Sequence, residues 1–265
     1  MRYVYFTKLL KGMTLAETAG FLKEAGVSGA DLAVRPGYPV TPTDPMAKFE
    51  EAVRVLRDQG LSVPLVSAPT DLIDPKSAAC RNLFENCGKV GVQYVKIGYF
   101  GYRGGPYSRE LSDARAKLAG FAELAQKTGV RAVYHTHSGA NLGSNGESMR
   151  SLLADLDPHF VGAFIDTGHQ AVGGAPFRIA VDAVAEWFAL VAIKDMRWEQ
   201  ANERWKSAVV PAGEGIVDWN DVGKTLKRKQ FNGVISLHGE YETASMAERL
   251  AKAKAELAFL KAKFA

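Results

Sequence analysis

The chain has very little cysteine: two residues in 265, Cys80 and Cys87. They stand seven positions apart in one predicted helix, about 10 Å along its axis, too far for a disulfide. Packed free thiols are expected, which suits a reducing compartment. Long hydrophobic runs are also missing, and nothing reaches the roughly 18 apolar residues of a membrane span. Lys8 and Lys11 interrupt the opening MRYVYFTKLL, and no small-residue cleavage site follows it, so it does not read as a secretory leader. A cytoplasmic location and no membrane partner are the expectation. Charge of one sign is scarce as well. A net +4 over this length makes no basic field for nucleic acid. The densest cluster, Lys224, Lys227, Arg228 and Lys229, reads as the complement of a helix C-terminal dipole. There is no G-x-S-x-G elbow, no CxxC, no P-loop, and no GxGxxG opening a helix after the first strand. These gaps argue against serine-hydrolase, thiol-redox and nucleotide-binding chemistry.

What is present is a strand–helix alternation repeated eight times. Apolar, β-branched-rich runs fall at 3–7, 29–34, 61–67, 94–98, 131–135, 161–166, 190–195 and 234–238. Between them lie segments of helical period at 14–25, 47–59 and 111–128, and the tail repeats Met246, Leu250, Ala253, Leu257, Leu260 and Phe264 in steps of four and three. Gly26, Gly60, Gly88 and Gly129 follow helical runs, where a left-handed C′ residue is expected. Asp44-Pro45 and Asp74-Pro75 fit an N-cap followed by proline. No linker or composition break divides the chain, so one domain over 1–265 is expected. Eight such units with strands apolar on both faces predict a single (β/α)8 TIM barrel. A doubly wound open sheet explains the alternation too, but not the polar residues that end strands from distant parts of the chain.

Those polar ends are the functional signal. They read VYHTHSG around His135 and His137, AFIDTGH around Asp166 and His169, and SLHGEY around His238 and Glu240, and they hold four of the five histidines. Burying such groups is costly unless they are paired, hydrogen-bonded or bound to metal. A barrel gathers all C-terminal strand ends at one mouth. His135, Asp166 and His238 then make two imidazoles and a carboxylate, a competent set for a divalent ion with open positions. His169, Glu240 or His137 would add a ligand or orient one. Asp166-Thr-Gly-His169 also reads as a helix N-cap.

Lys194 ends the seventh run beside Asp195, placed either to serve a substrate or to pair with Asp195 or a neighbour. The glycines of Pro211-Ala-Gly-Glu214-Gly215 permit close backbone approach to a ligand. The 98–106 loop carries Tyr99, Phe100, Tyr102 and Arg103, placed to stack on a sugar, to form a lid, or simply to pack on the core. Glu240, Lys194 and His137 form the expected catalytic set, and Arg35, Lys96, His169 and Glu214 the expected substrate-binding set.

The segments ADLAVRPG (30–37), YHTHSG (134–139), DTGHQAVGG (166–174), AIKDMRW (192–198), PAGEGIVDW (211–219) and SLHGEY (236–241) together resemble the xylose-isomerase-like TIM-barrel family. That family includes sugar-phosphate isomerases and epimerases, inosose dehydratases and endonuclease IV. The resemblance implies a divalent ion (Mn, Mg, Co or Zn), a carbohydrate substrate, proton transfer beside a carbonyl, and a possible homodimer. His135 stands where ketose epimerases of the family carry a fifth-strand Glu, Ala192 where they carry a seventh-strand His, and His238 where they carry an eighth-strand Glu. Three readings compete: a metal-dependent sugar isomerase or epimerase, with a lyase or dehydratase using the same site; a sugar-binding barrel with a degenerate metal site; and an endonuclease-like phosphodiesterase, which would need a basic groove.

Overall fold

In the computed structural model, which describes residues 1–265, the eight runs become the strands of one closed parallel barrel. They are β1 (Arg2–Phe6), β2 (Gly29–Ala33), β3 (Ser62–Ser67), β4 (Tyr94–Lys96), β5 (Arg131–His135), β6 (Val161–Asp166), β7 (Phe188–Ile193) and β10 (Val234–Leu237). Around the ring the order is β1-β10-β7-β6-β5-β4-β3-β2. Outside lie α1 (Leu15–Ala25), α2 (Met46–Asp58), α3 (Ala78–Lys89), α4 (Tyr107–Thr128), α5 (Gly146–Leu153), α6 (Thr167–Val172), α7 (Phe177–Ala183), α8 (Trp219–Arg228) and α9 (Met246–Lys263). Cys80 and Cys87 are both free and buried in α3.

The barrel interior explains how the site is built. Val4, Leu65, Val133, Phe164, Leu190 and Val234 pack on one another inside it, apart from the larger core between strands and helices. Strand side chains alternate, so the residue two places beyond each plug points the same way. Leu65 leads to Ser67, Val133 to His135, Phe164 to Asp166. Leu190 leads through Ala192 to Lys194, and Val234 through Ser236 to His238. Tyr94, packed against the plug, leads to Lys96. An apolar floor therefore carries a polar layer above it. Leu65 and Phe164 are fully buried, and burying each contributes roughly 2–3 kcal/mol, which anchors the strands that present the polar groups.

Several local expectations are corrected. The seventh run, expected over 190–195, ends at Ile193, and β8 (Asp195–Ala201) and β9 (Arg204–Val210) form an antiparallel hairpin beyond it. Its turn residues Asn202 and Glu203 both have positive φ, 49° and 62°, the backbone of a two-residue hairpin turn without the usual Asn-Gly signal. Gly26, Gly60 and Gly129 are left-handed as expected, but after α3 the left-handed residue is Gly91, φ 73°. Gly88 lies inside α3, where a Cβ would come within 2.4 Å of the Thr128 carbonyl oxygen; close helix packing is what demands glycine there. Nor does Asp44 or Asp74 cap a helix. Asp44 accepts from the Thr41 amide, Asp74 from the Lys76 amide, and Ser77 caps α3.

Candidate metal centre and active site

His135, Asp166 and His238 offer one donor atom each, all within 4.8 Å of one another, and all three residues are buried. Their hydrogen bonds show which atoms are free. Asp166 caps α6 with Oδ1, which accepts from the His169 amide at 2.8 Å. Its other oxygen, Oδ2, is buried without a hydrogen-bond partner, and so is His135 Nε2. The two lie 3.4 Å apart. The Tyr99 hydroxyl sits 3.0 Å from His135 Nδ1. His238 Nε2 lies 3.2 Å from Asp31 Oδ2, to which it donates, and Nδ1 lies 3.9 Å from Glu240 Oε1. Burial first, then the neighbouring His238, Lys96 and Lys194, hold the His135 imidazole well below its usual range, so it stays neutral. A buried carboxylate oxygen and a buried imidazole nitrogen facing each other, neither in a hydrogen bond, fit a bound cation.

A second group adjoins it. The Lys194 ammonium contacts Glu240 Oε1 at 3.1 Å, His169 Nε2 at 3.2 Å and Asp166 Oδ2 at 3.8 Å. Burial alone would lower the Lys194 pKa, but Asp166 and Glu240 outweigh burial and raise it. An ammonium cannot accept, so His169 Nε2 accepts from it, and Nδ1–H faces Ser138 Oγ at 2.8 Å. Burial pushes the His169 pKa down to about 2. For Glu240, burial raises the pKa, yet Lys194, His238 and Lys8 together hold it far below the usual carboxylate range. Lys8 Nζ is 2.5 Å from Glu240 Oε2. His137 Nδ1 lies 3.0 Å from the Ser138 carbonyl oxygen, which fixes the proton on Nδ1 and leaves Nε2 as an acceptor. Burial lowers its pKa as well.

Arg35, Ser67, Lys96, Tyr99, His135, His137, Lys194, His238 and Glu240 line one cavity at the barrel mouth, with Phe6, Lys8 and Thr70. His169 stands just behind, its ring 4.0 Å from that of His137. Glu214 is exposed on its loop and does not line that cavity. Asp195 does not pair with Lys194. It accepts from the amides of Met196, Gly213, Gly215 and Val217 and from Trp219 Nε1, which pins the 211–219 loop. A Cβ on Gly215 would meet Asp195 Oδ1 at 2.1 Å. The 98–106 loop divides its residues: Tyr99 reaches His135, Phe100 stacks on Tyr134, and Tyr102 is exposed.

Sequence reasoning missed Asp31 and Ser67. Asp31 is fully buried in β2 and its Oδ2 accepts from Ser236 Oγ at 2.8 Å besides facing His238. The available signal was an acidic residue within a wholly buried five-residue strand, GADLA, the same anomaly that singled out Asp166.

Known proteins share this architecture. The D-psicose 3-epimerase of Clostridium cellulolyticum H10, solved with D-tagatose, superposes with a TM-score of 0.79 at 12% identity, over 100% of this chain and 99% of that one. The 3-keto-D-glucoside 4-epimerase of E. coli gives 0.77 at 14% identity, over 99% of each chain. These likenesses establish the fold. By sequence, the inosose dehydratase of Lactiplantibacillus plantarum is 29% identical over 151 residues, 52% of this chain and 50% of that protein. The inosose dehydratase of Bacillus velezensis is 25% identical over 134 residues, 46% and 44%. The chain thus matches about half the length of these curated relatives or less. The family model described as a xylose isomerase-like TIM barrel matches residues 20–263, and this chain belongs to that family.

Proposed function

We propose that the protein is a divalent-metal-dependent isomerase or epimerase of a sugar or sugar derivative, working by proton transfer next to a carbonyl. The observation that carries this reading is the pair of buried atoms without a hydrogen bond, His135 Nε2 and Asp166 Oδ2, beside His238. His135, Asp166 and His238 would hold the ion. When bound, a divalent ion polarises a carbonyl or hydroxyl and acidifies the neighbouring C–H.

The chain's own residues supply the rest. His137, neutral and with Nε2 as acceptor, takes the proton from carbon; its lowered pKa keeps it in the basic form at neutral pH. Lys194, held protonated by Asp166 and Glu240, donates to the substrate. Glu240 is too strongly stabilised as an anion to serve as a good base. It orients Lys194. His169 accepts from Lys194 and supports His137 by ring contact.

The sequence likeness to inosose dehydratases favours a second reading, a lyase on the same site. Both begin with the same proton removal and differ in whether a neighbouring hydroxyl then leaves.

Elemental analysis of the purified protein, with solvent deuterium exchange into a panel of keto-sugars and inososes, tests the proposal. About one divalent ion per chain and deuterium at the carbon beside the carbonyl are expected. A protein that neither contains nor takes up metal, and exchanges no proton, would refute it. A new ultraviolet-absorbing enone would assign the lyase.

A further inference from the structure

We infer that Arg35, Ser67 and Lys96 form an anion subsite that takes a carboxylate of the substrate, so that the substrate is an acidic sugar derivative. The inference rests on the sugar-directed reading above and narrows its substrate class.

The three residues are neighbours by strand register. Ser67 pairs with Lys96 across β3 and β4, Ala33 pairs with Ser67 across β2 and β3, and Arg35 follows two residues after Ala33. All three line the mouth cavity. Each also carries a polar atom without a partner. Ser67 Oγ and Arg35 Nε are buried with no hydrogen bond. Lys96 is 5% exposed, and its ammonium makes no hydrogen bond or ion pair, only a contact 3.7 Å from the centre of the Tyr99 ring. The guanidinium of Arg35 hydrogen-bonds only to carbonyl oxygens, those of Ser67 and Ala68 at 3.4 and 3.2 Å, and lies over the Phe6 and Tyr38 rings. The other two lysines of the mouth differ: Lys8 and Lys194 both contact Glu240.

A buried ammonium beside a guanidinium, with no carboxylate in ion-pair contact, is costly. Burial and then the Arg35 charge pull the Lys96 pKa down to about 7, outweighing Asp31 and Glu240, which raise it. The hydroxyls of a neutral sugar satisfy hydrogen bonds but leave the charge. A carboxylate does both, and its two oxygens accept about four hydrogen bonds, a match for three convergent donors. A phosphoryl group, with three oxygens and up to two charges, would be left undersatisfied by the same three.

Calorimetric titration with D-gluconate, D-glucitol and D-glucitol 6-phosphate, on wild-type protein of measured metal content, provides the test. Gluconate should bind at least tenfold more tightly than glucitol, and the phosphate should not surpass gluconate. Lys96→Met and Arg35→Gln should each abolish the preference, with folding checked by thermal melting; Ser67→Ala should weaken gluconate binding about tenfold, by loss of one hydrogen bond to a charged group. Equal affinity of acid and neutral probe, no binding by either, a preference that survives both cation substitutions, or a stronger phosphate would overturn the subsite. If such a result comes from protein that holds metal and exchanges substrate protons, the subsite fails and the proposed activity stands.

Discussion

The two arcs of the barrel mouth are built to one plan and demand opposite things. On β5, β6 and β10 the polar layer above the apolar floor offers lone pairs: His135 Nε2, Asp166 Oδ2 and the imidazole of His238. On β3 and β4, joined by Arg35 beyond β2, it offers protons: Ser67 Oγ, Lys96 Nζ and Arg35 Nε. Both sets lie at or just past strand C-termini and owe their placement to the two-residue strand period. Only residue type differs, and it turns one arc toward a cation and the other toward an anion. A molecule lying across the mouth is therefore oriented before any chemistry, which is where much of an enzyme's advantage arises.

The largest effect is expected where the acceptor arc is broken. Asp166→Ala removes both the free oxygen and the cap of α6. Bound metal should be lost on elemental analysis, and turnover should fall about a thousandfold or more, some 4 kcal/mol of transition-state stabilisation. Asp166→Asn keeps a cap acceptor, so it should lose activity to a similar degree while melting closer to wild type. Full activity in either variant would remove Asp166 from the site.

Next comes the proton carrier between the arcs. His137→Gln should lower kcat about a hundredfold, the usual worth of a general base, with KM and metal content little changed. Lost metal instead would make His137 a ligand. A smaller effect is expected from Tyr99→Phe. The Tyr99 hydroxyl contacts His135 Nδ1, and losing such a contact behind a ligand typically weakens metal binding about tenfold. Unchanged affinity in a metal titration would show that Tyr99 belongs only to the donor arc, through Lys96.

The barrel was legible in the sequence because its signal is redundant: eight apolar runs and repeated helical periods point to one architecture, and a misplaced boundary changes nothing. The gathering of His135, Asp166 and His238 was legible for the same reason, since any parallel barrel brings strand ends together. The hairpin at 195–210 was not. Its strands alternate polar and exposed residues, Trp198 and Trp205 among them, and the Asn202-Glu203 turn carries no glycine. Pairings were hidden too. Lys194 beside Asp195 reads as an ion pair in one dimension, but adjacent strand residues face opposite ways. Lys194 therefore turns inward to Glu240 and Asp166, and Asp195 outward to the amides of the 211–219 loop. Ser67 escaped because a serine in a strand stands out only when burial is known, and Asp31 because it lies in the middle of its strand rather than at the polar end.

The smallest effect asks whether the acceptor arc is held up independently of its chemistry. Glu256 on α9 accepts from the Ala212 amide at 3.0 Å and from the Tyr241 hydroxyl at 2.9 Å, so it braces both the 211–219 loop and the segment carrying Glu240. Burial raises its pKa from 4.5 to about 7. The folded protein therefore binds the proton more tightly than the unfolded chain does. Below about pH 4.5 both states are protonated and burial of the group has no pH-dependent cost. As pH rises from 4.5 to 7 the unfolded chain releases its proton while the folded state still holds it, so stability falls, by at most about 3 kcal/mol for a shift of this size, and levels off once the folded state ionises. Glu256→Gln removes the titration while keeping one acceptor and one donor. Its melting temperature relative to wild type should rise across that window and level off above it, reaching roughly 5 °C by pH 8, while metal content stays the same. A difference that does not change with pH would mean that Glu256 is ionised in the fold throughout. A loss of metal would mean that the acceptor arc depends on this brace, whereas the donor arc on β3 and β4, which Glu256 does not touch, should keep its preference for acids either way.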